Sequence, residues 1–273
     1  MTEAASPRAP AVAGRFYPDT ALELGALLDR LIVPAGQSQD ARALLAMVPH
    51  AGYVYSGRIA GATYAELSVP EHVLLLGPNH TGLGAERSLW SGGAWRTPLA
   101  DVPLDSELIE ALRGHVQLTD DREAHLYEHS LEVQLPFLKR VQPSVSIAPV
   151  CLGRLSLEAC VDLGTQLAAA ILAVRRPVLI VCSTDMSHYI SRDTAERLDR
   201  LALAHVHAVE PEQLYETVRQ HKISMCGFVP TTVGLVAARA LGARHGRVVS
   251  YGSSGEVTGD FGSVVAYAGA VLS

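Results

Sequence analysis

The sequence is poor in cysteine and in charge, and it has no basic excess and no long apolar run. Lys and Arg total 22 against 28 Asp and Glu, for a net charge of −6. Without a basic stripe to release counterions from a phosphate backbone, nucleic acid is not an expected partner. The longest unbroken apolar stretch runs only from Leu167 to Val174, whereas a helix needs about 20 such residues to cross a bilayer, so no membrane span is expected. Met1–Pro10 has no leucine-rich segment and does not read as a signal peptide. The four cysteines, Cys151, Cys160, Cys182 and Cys226, are unevenly spaced and include no CxxC pair. That argues against a disulfide framework and a thiolate zinc site, and for reduced thiols in a cytoplasmic setting. Internal repeats and Gly/Ser linkers are missing too, which favours one domain over residues 1–273.

What the 273 residues do have is apolar bulk and histidine. Hydrophobic residues make up 48% of the chain and charged residues 18%. This excludes a disordered chain, because enough apolar surface is available to offset the entropy of ordering. Histidine, the commonest metal ligand and a proton shuttle at neutral pH, occurs 11 times.

Short apolar runs read as buried strands at Leu44–Val48, His72–Leu76, Val145–Val150, Val178–Cys182, Val248–Tyr251 and Val264–Tyr267. Helical patterns separate most of them: Ser56–Leu67, Asp105–Leu112, Ser130–Arg140, Leu155–Val174, Asp193–Val209, Pro211–Gln220 and Val229–Leu241. A further helix spans Thr20–Ile32 and stops at Pro34, after an N-terminal arm through Pro18 that is expected to be extended. The alternation predicts the α/β class, a central, mostly parallel mixed sheet flanked by helices. Gly77–Asp101 reads as a long loop with a short hairpin around Ser88–Trp95.

Three predicted strands end alike. Leu44–Val48 runs into Pro49-His50, His72–Leu76 into Gly77-Pro78-Asn79-His80, and Val178–Cys182 into Ser183-Thr184-Asp185-Met186-Ser187-His188. Ligands of open α/β sheets bind beyond the carboxyl ends of the strands, so three histidines and an aspartate fall where a site belongs. Cys226 precedes the helix starting near Phe228. There the helix dipole would lower its pKa and favour metal ligation or thiolate chemistry; the alternative is a buried, inert thiol. Cys151, Cys160 and Cys182 read as packing residues. Asp105 reads as a helix N-cap. Glu128, His129 and His125 lie on one approach, where His129 or Ser130 could cap the next helix or Glu128 and His129 could face the site. The six histidines at 72, 115, 205, 207, 221 and 245 read as surface or packing residues.

These residues carry a family resemblance. The sequence resembles the Memo family, whose prokaryotic members are the AmmeMemoRadiSam system protein B group. The shared motifs run in order through Gly14-Arg15-Phe16-Tyr17-Pro18, Pro49-His50-Ala51-Gly52-Tyr53, Gly77-Pro78-Asn79-His80, Thr97-Pro98-Leu99, Glu128-His129-Ser130-Leu131-Glu132, Ser183-Thr184-Asp185-Met186-Ser187-His188-Tyr189, Cys226-Gly227 and Gly259-Asp260. The chain departs from the pattern at Ala100, where relatives usually have Gly. The resemblance implies a fold like the class III extradiol dioxygenases (LigB-like). It implies metal ligands at His50, His80 and Cys226, an acid/base histidine at His188 with Asp185 beside it, and His129 lining the pocket. Tyr53, Tyr189, Asn79, Glu128 and His125 are expected around it.

Where the dioxygenases use a carboxylate as third ligand, this chain offers Cys226, a softer donor that suits copper or zinc while leaving Fe(II) open. Three readings follow. The first is a redox or dioxygenase-like enzyme using iron or copper. The second is a binding protein holding a metal or peptide, with AMMECR1-like or radical-SAM protein partners implied by the resemblance. The third is a Cys226–His188–Asp185 or zinc hydrolase acting on a small-molecule ligand.

Overall fold

The structure, a computed structural model, describes residues 6–33 and 43–273. Eleven strands occur among the described residues: β1 Leu45–Val48, β2 His72–Pro78, β3 Arg87–Leu89, β4 Ala94–Arg96, β5 Asp101–Pro103, β6 Thr119–Asp120, β7 Ser146–Leu152, β8 Val178–Ser183, β9 His188–Ile190, β10 Gly246–Ser253 and β11 Val264–Leu272. The helices are α1 Ala21–Leu31, α2 Tyr53–Ala65, α3 Ser106–His115, α4 Glu123–Leu126, α5 Leu135–Val141, α6 Leu157–Val174, α7 Arg192–Ala208, α8 Pro211–His221, α9 Phe228–Ala240 and α10 Gly255–Thr258.

The main sheet has the order β10-β11-β1-β8-β2-β7-β3-β6, with β9 added to β11. Its centre, β1-β8-β2-β7, is parallel throughout, whereas β11 and β3 join antiparallel on either side. This is the single α/β domain with a mostly parallel mixed sheet that the strand–helix alternation predicts. Alternate residues of each central strand enter two different cores. Leu45, Met47, Leu74, Leu76, Ile180 and Cys182 pack on one face, beneath α6, α7 and α9. Ala46, Val48, Val73, Leu75, Leu179 and Val181 pack on the other, beneath α1, α2 and α5. Both faces are buried, which is why these strands read as continuous apolar runs and not as alternating ones.

Helix α6 is 18 residues long with mean hydropathy 1.6, enough by length and composition to cross a membrane. Here its Cys160, Leu163, Leu167 and Ile171 face is buried in the first core. The caps follow local chemistry. Thr20, Asp105, Ser156 and Ser191 each accept a backbone N–H in the first turn of α1, α3, α6 and α7. Asp105 therefore does act as the N-cap.

Three local expectations are corrected. The hairpin near Ser88–Trp95 is divided: β3 leaves to pair with β7 in the main sheet, and β4 pairs with β5 in a separate ribbon. The N-terminal arm is not extended along its length. Arg8 bridges to Trp95, and the chain then turns back so that Ala13 bridges to Tyr17, with Gly14 at φ +76°. Glu132 fixes that turn by accepting hydrogen bonds from the Ala11 and Val12 amides and the Tyr17 hydroxyl, and from Arg8 Nη1 at 2.7 Å. The segment expected as one helix over Ser130–Arg140 is a 3-10 turn, Glu132–Gln134, followed by α5. Pro34, the expected stop of α1, lies outside the described residues, as do residues 1–5 of the arm.

Candidate metal centre

The parallel register places the ends of β1, β8 and β2 side by side, with Val48 opposite Ser183 and Leu76 opposite Cys182. The segments leaving these ends carry His50, Asp185 and His80, so histidines far apart in sequence converge. The rings of His50 and His80 have centroids 5.2 Å apart, and His129 lies 5.4 Å from His50 and 4.8 Å from His80, nearly parallel to the latter. One ring nitrogen from each lies within 4.8 Å of the others, a grouping that could hold a metal ion.

Hydrogen bonds fix the Nδ1 proton of His50, His80 and His188. The Ser183 hydroxyl donates to the Ser130 carbonyl at 2.6 Å and accepts from Gln134 Nε2 at 2.9 Å. Its one proton is thereby committed, so His50 Nδ1, 2.9 Å away, must be the protonated nitrogen that donates to Ser183. His50 Nε2 is left with a lone pair. His80 Nδ1 faces Glu128 Oε1 at 2.9 Å, and His188 Nδ1 faces the Ser224 carbonyl at 2.9 Å. Both partners are acceptors, so these rings also carry Nδ1–H, and the neutral form of each leaves Nε2 free. The network assigns the same ligand-ready tautomer to all three.

Glu128 is the hub of the electrostatics. Its carboxylate is 1% exposed and also accepts from the backbone amides of His80, His129 and Ser130. Burial pushes its pKa up, but the hydrogen bond and charge of His80, the charge of His129 and the Ser130 amide outweigh burial and bring it to about 2. In return, Glu128 overcomes the burial of His80 and raises that ring's pKa. Burial, with the nearby positive charge of His80 and His129, drives the buried His50 well down. His129 and His188 are lowered by burial too. Neutral imidazoles are the form that binds metal.

Cys226 Sγ lies 3.2 Å from His50 Nε2 and accepts from the Asp185 amide at 3.2 Å. The expected lowering of its pKa by the α9 dipole is corrected: burial, aided by the Asp185 charge, pushes the thiol up. Gly227 keeps this loop close to β8, because a Cβ there would lie 2.5 Å from the Ser183 carbonyl oxygen. Asp185 is buried and its pKa is raised by burial to about 7. Its carboxylate receives the His50 amide at 2.8 Å.

Asp185, expected beside His188 as its companion, therefore makes no hydrogen bond to that ring and does not orient it. Ser224 does so, through its carbonyl on Nδ1 and its hydroxyl on the His188 amide at 2.7 Å. A Cys226–His188–Asp185 relay has no hydrogen-bonded path among these three side chains: the thiol meets His50, and the aspartate meets the His50 backbone.

The remaining expected residues separate. Asn79 organises its own loop, accepting from Thr81 Oγ1 and the Gly82 amide and donating to the Leu83 carbonyl. Tyr189 stands 78% exposed beside His188 in the left-handed region, φ 58°, a conformation disfavoured for a side chain of this size. Tyr53 does not face the histidines. Its ring packs on Tyr17 and Phe137, and its hydroxyl donates to the Val133 carbonyl at 2.6 Å. His125 is also removed from the group. It is fully buried between Trp90 and Trp95, with Nε2 3.2 Å from the Ser88 carbonyl, and burial lowers its pKa to about 4. Ser183, Gln134 and Ser224 carry functions that residue type did not reveal, since Ser and Gln have no spacing signature of their own. Phe16, edge-on to His129 at 5.0 Å, comes from the folded arm.

A cavity of about 590 Å³ opens on His80 and Cys226. Comparison with known proteins agrees across nearly the whole chain. Residues 8–271 match the family described as Memo-like protein. A "MEMO1 family protein" of Aquifex aeolicus is 43% identical over 266 residues, covering 97% of this chain and 98% of the relative. Another, from Methanopyrus kandleri, is 40% identical, again covering 97% of this chain and 98% of the relative. In fold, the chain is similar to the crystal structure of an uncharacterized protein from Escherichia coli K12. That match has TM-score 0.52 and 13% identity, and covers 84% of this chain and 100% of the other.

Proposed function

This chain belongs to the Memo-like protein family, and from that premise we propose that it is a metal-dependent redox enzyme, dioxygenase-like in its pocket, acting on a small substrate. Iron or copper would be held by His50 and His80 through Nε2, with Cys226 completing the set and His129 alongside. The observation that carries this reading is the shared tautomer: His50 and His80 both spend Nδ1–H on a fixed acceptor and keep Nε2 available.

The donor chemistry fits a transition metal. Two neutral imidazoles with one sulfur donor suit copper and zinc and accommodate Fe(II). Glu128 behind His80 is the carboxylate–histidine arrangement that orients a ligating ring and raises its basicity. The Cys226 thiol now shares a proton with the lone pair of His50 Nε2; giving up that proton would leave two donors facing one position. A bound iron or copper ion would supply electron transfer to and from a coordinated substrate.

The chain's own residues would do the rest. His188, neutral and fixed by Ser224, offers Nε2 as a base that takes a proton and returns it. Asp185 holds the backbone of His50 in place. The test is anaerobic reconstitution with Fe(II) or Cu(I), followed by O₂ consumption over a broad panel of small substrates. Metal-dependent turnover that is lost in His188→Gln while metal content is kept supports the reading. Absence of metal-dependent turnover from the whole panel contradicts it.

A second reading is a metal- or peptide-holding partner protein, for which AMMECR1-like or radical-SAM proteins are the candidates the family suggests. The exposed Tyr189, held in a disfavoured backbone conformation next to His188, favours it, because strain in an exposed aromatic is often retained for contact. Co-purification from a native host that is lost with Tyr189→Ala but survives His50→Ala would place the contact at the rim and not at the metal.

A further inference from the structure

We propose that the cavity beside the metal centre is built for an anionic small molecule, whose carboxylate or phosphate group is received by Arg154 and Arg219. The assignment of the ligand's other end to the metal side rests on the function proposed above; the anion subsite itself does not.

Arg154 follows β7, whose end lies beside that of β2 with Leu152 opposite Pro78, so it leaves the same sheet edge as His80. Arg219 comes from the last turn of α8. Both line the 590 Å³ cavity that also exposes His80 and Cys226. That volume falls within the range of small-molecule sites, roughly 300–1,000 Å³.

Three features make the two arginines more than solvated surface. First, they are uncommitted. Among the described residues, nine arginines have a carboxylate partner and ten have none, and Arg154 and Arg219 belong to the second group. What distinguishes them from the other unpaired arginines is that both line the cavity that exposes His80 and Cys226. Second, no acidic side chain lines this cavity among the described residues; Glu86 lines the adjoining 310 Å³ hollow that shares Asn79, His80 and Arg154, and Glu128 is spent on His80. Third, Tyr215 and Phe228 add aromatic lining to the same cavity. Tyr215 and Phe228 pack at 5.3 Å, and the Tyr215 hydroxyl is committed to the Leu155 carbonyl at 2.9 Å, so both rings offer carbon surface.

A guanidinium presents paired N–H donors matched to carboxylate and phosphate oxygens. The ligand that fits has an oxyanion at one end, a flat or apolar body against Phe228 and Tyr215, and a second end reaching Cys226 and His80.

The experiment titrates chelator-treated protein with benzoate, phenyl phosphate and the neutral isostere benzamide, by calorimetry or ligand-observed NMR. Metal content is measured separately on untreated samples of the same proteins. Arg154→Gln, Arg219→Gln and the double variant are compared with Arg200→Gln, which removes a charge from a different groove. The inference predicts that at least one anion binds more tightly than benzamide. It also predicts that each single arginine variant weakens that anion about tenfold, as expected for losing one charge-assisted contact of about 1.4 kcal/mol, and that Arg200→Gln has no effect. Preference between benzoate and phenyl phosphate identifies the oxyanion. If neither anion binds, if benzamide binds as well, or if the double variant binds anions normally, the inference is overturned, whatever the metal content. Arginine-dependent binding in a protein that takes up no metal even after reconstitution would sustain the subsite and overturn the proposed redox function instead.

Discussion

His50 Nε2 and Cys226 Sγ stand 3.2 Å apart although 176 residues separate them in the chain. The contact joins the end of β1 to the loop before α9, and only the sheet order makes it close. The His50 ring also groups with His80 and His129. His50 and His80 are common to both donor sets, His50–His80–Cys226 and His50–His80–His129, and only the third donor differs.

The tautomers are directly observable. In metal-free protein, long-range ¹H–¹⁵N spectra of the histidine rings are expected to show the Nδ1–H form for His50, His80 and His188. An Nε2–H signal for His50 without Nδ1–H would mean that Ser183 donates to the ring and that the network runs in the opposite direction. His50 should remain neutral well below pH 6.5, because burial and its histidine neighbours lower its pKa.

Glu128→Gln should weaken metal retention by about 10–100-fold, since the carboxylate that orients His80 is lost. Competition with a chromogenic chelator measures this. The acid stability of the metal-free protein should change as well. The folded pKa, about 2, lies below the ordinary 4.5, so Glu128 stabilises the fold above pH 4.5 and that contribution fades as pH falls toward 2. On the order of 2 kcal/mol is at stake. Urea midpoints between pH 6 and pH 3 should therefore fall more steeply for the parent than for Glu128→Gln. Parallel curves would contradict the assignment.

Arg8→Ala is expected to destabilise by about 3–5 kcal/mol, because it leaves the buried Glu132 charge without its partner. Arg8 and Glu132 are both almost fully buried, and the guanidinium also stacks over Trp95 at 4.3 Å. Chemical denaturation measures the loss. Because Glu132 ties down the turn that sets Phe16 against His129, the His129 ring resonances should also shift.

Gly227→Ala should disturb the centre without touching a ligand. The added methyl would meet the Ser183 carbonyl and Thr184, so the Cys226 loop must move away from β8. Overpacking of this kind costs about 1–3 kcal/mol. Metal retention should fall along with stability. Retention unchanged at parental affinity would show that Cys226 is not part of the centre.

The parallel strands were legible because burial on both faces turns them into uninterrupted apolar runs, and His50 and His80 were legible because they follow such runs directly. The partner of His188 was not. Ser224 is 36 residues away, and the short strand β9 that carries His188 exists only through pairing with β11. His125 was misplaced for a similar reason: its surroundings are Trp90 and Trp95, which converge only when β3 and β4 separate into different sheets. Cys226 was located correctly before α9, but its pKa direction was not, since burial depends on β8 and the Asp185 loop closing over it. Arg154 and Arg219 gave no signal, because an arginine without a partner looks the same in sequence as one with a partner.

The central claim is a metal ion held by His50 and His80 together with a thiol. Elemental analysis of protein purified without an affinity metal, alongside His80→Ala, His129→Ala and Cys226→Ser, tests it most directly. The account predicts near-stoichiometric iron or copper in the parent, loss in His80→Ala and Cys226→Ser, and retention in His129→Ala. Metal lost with His129→Ala but kept in Cys226→Ser would replace the thiol by the third histidine. A parent that binds no transition metal, even after reconstitution, would contradict the account outright.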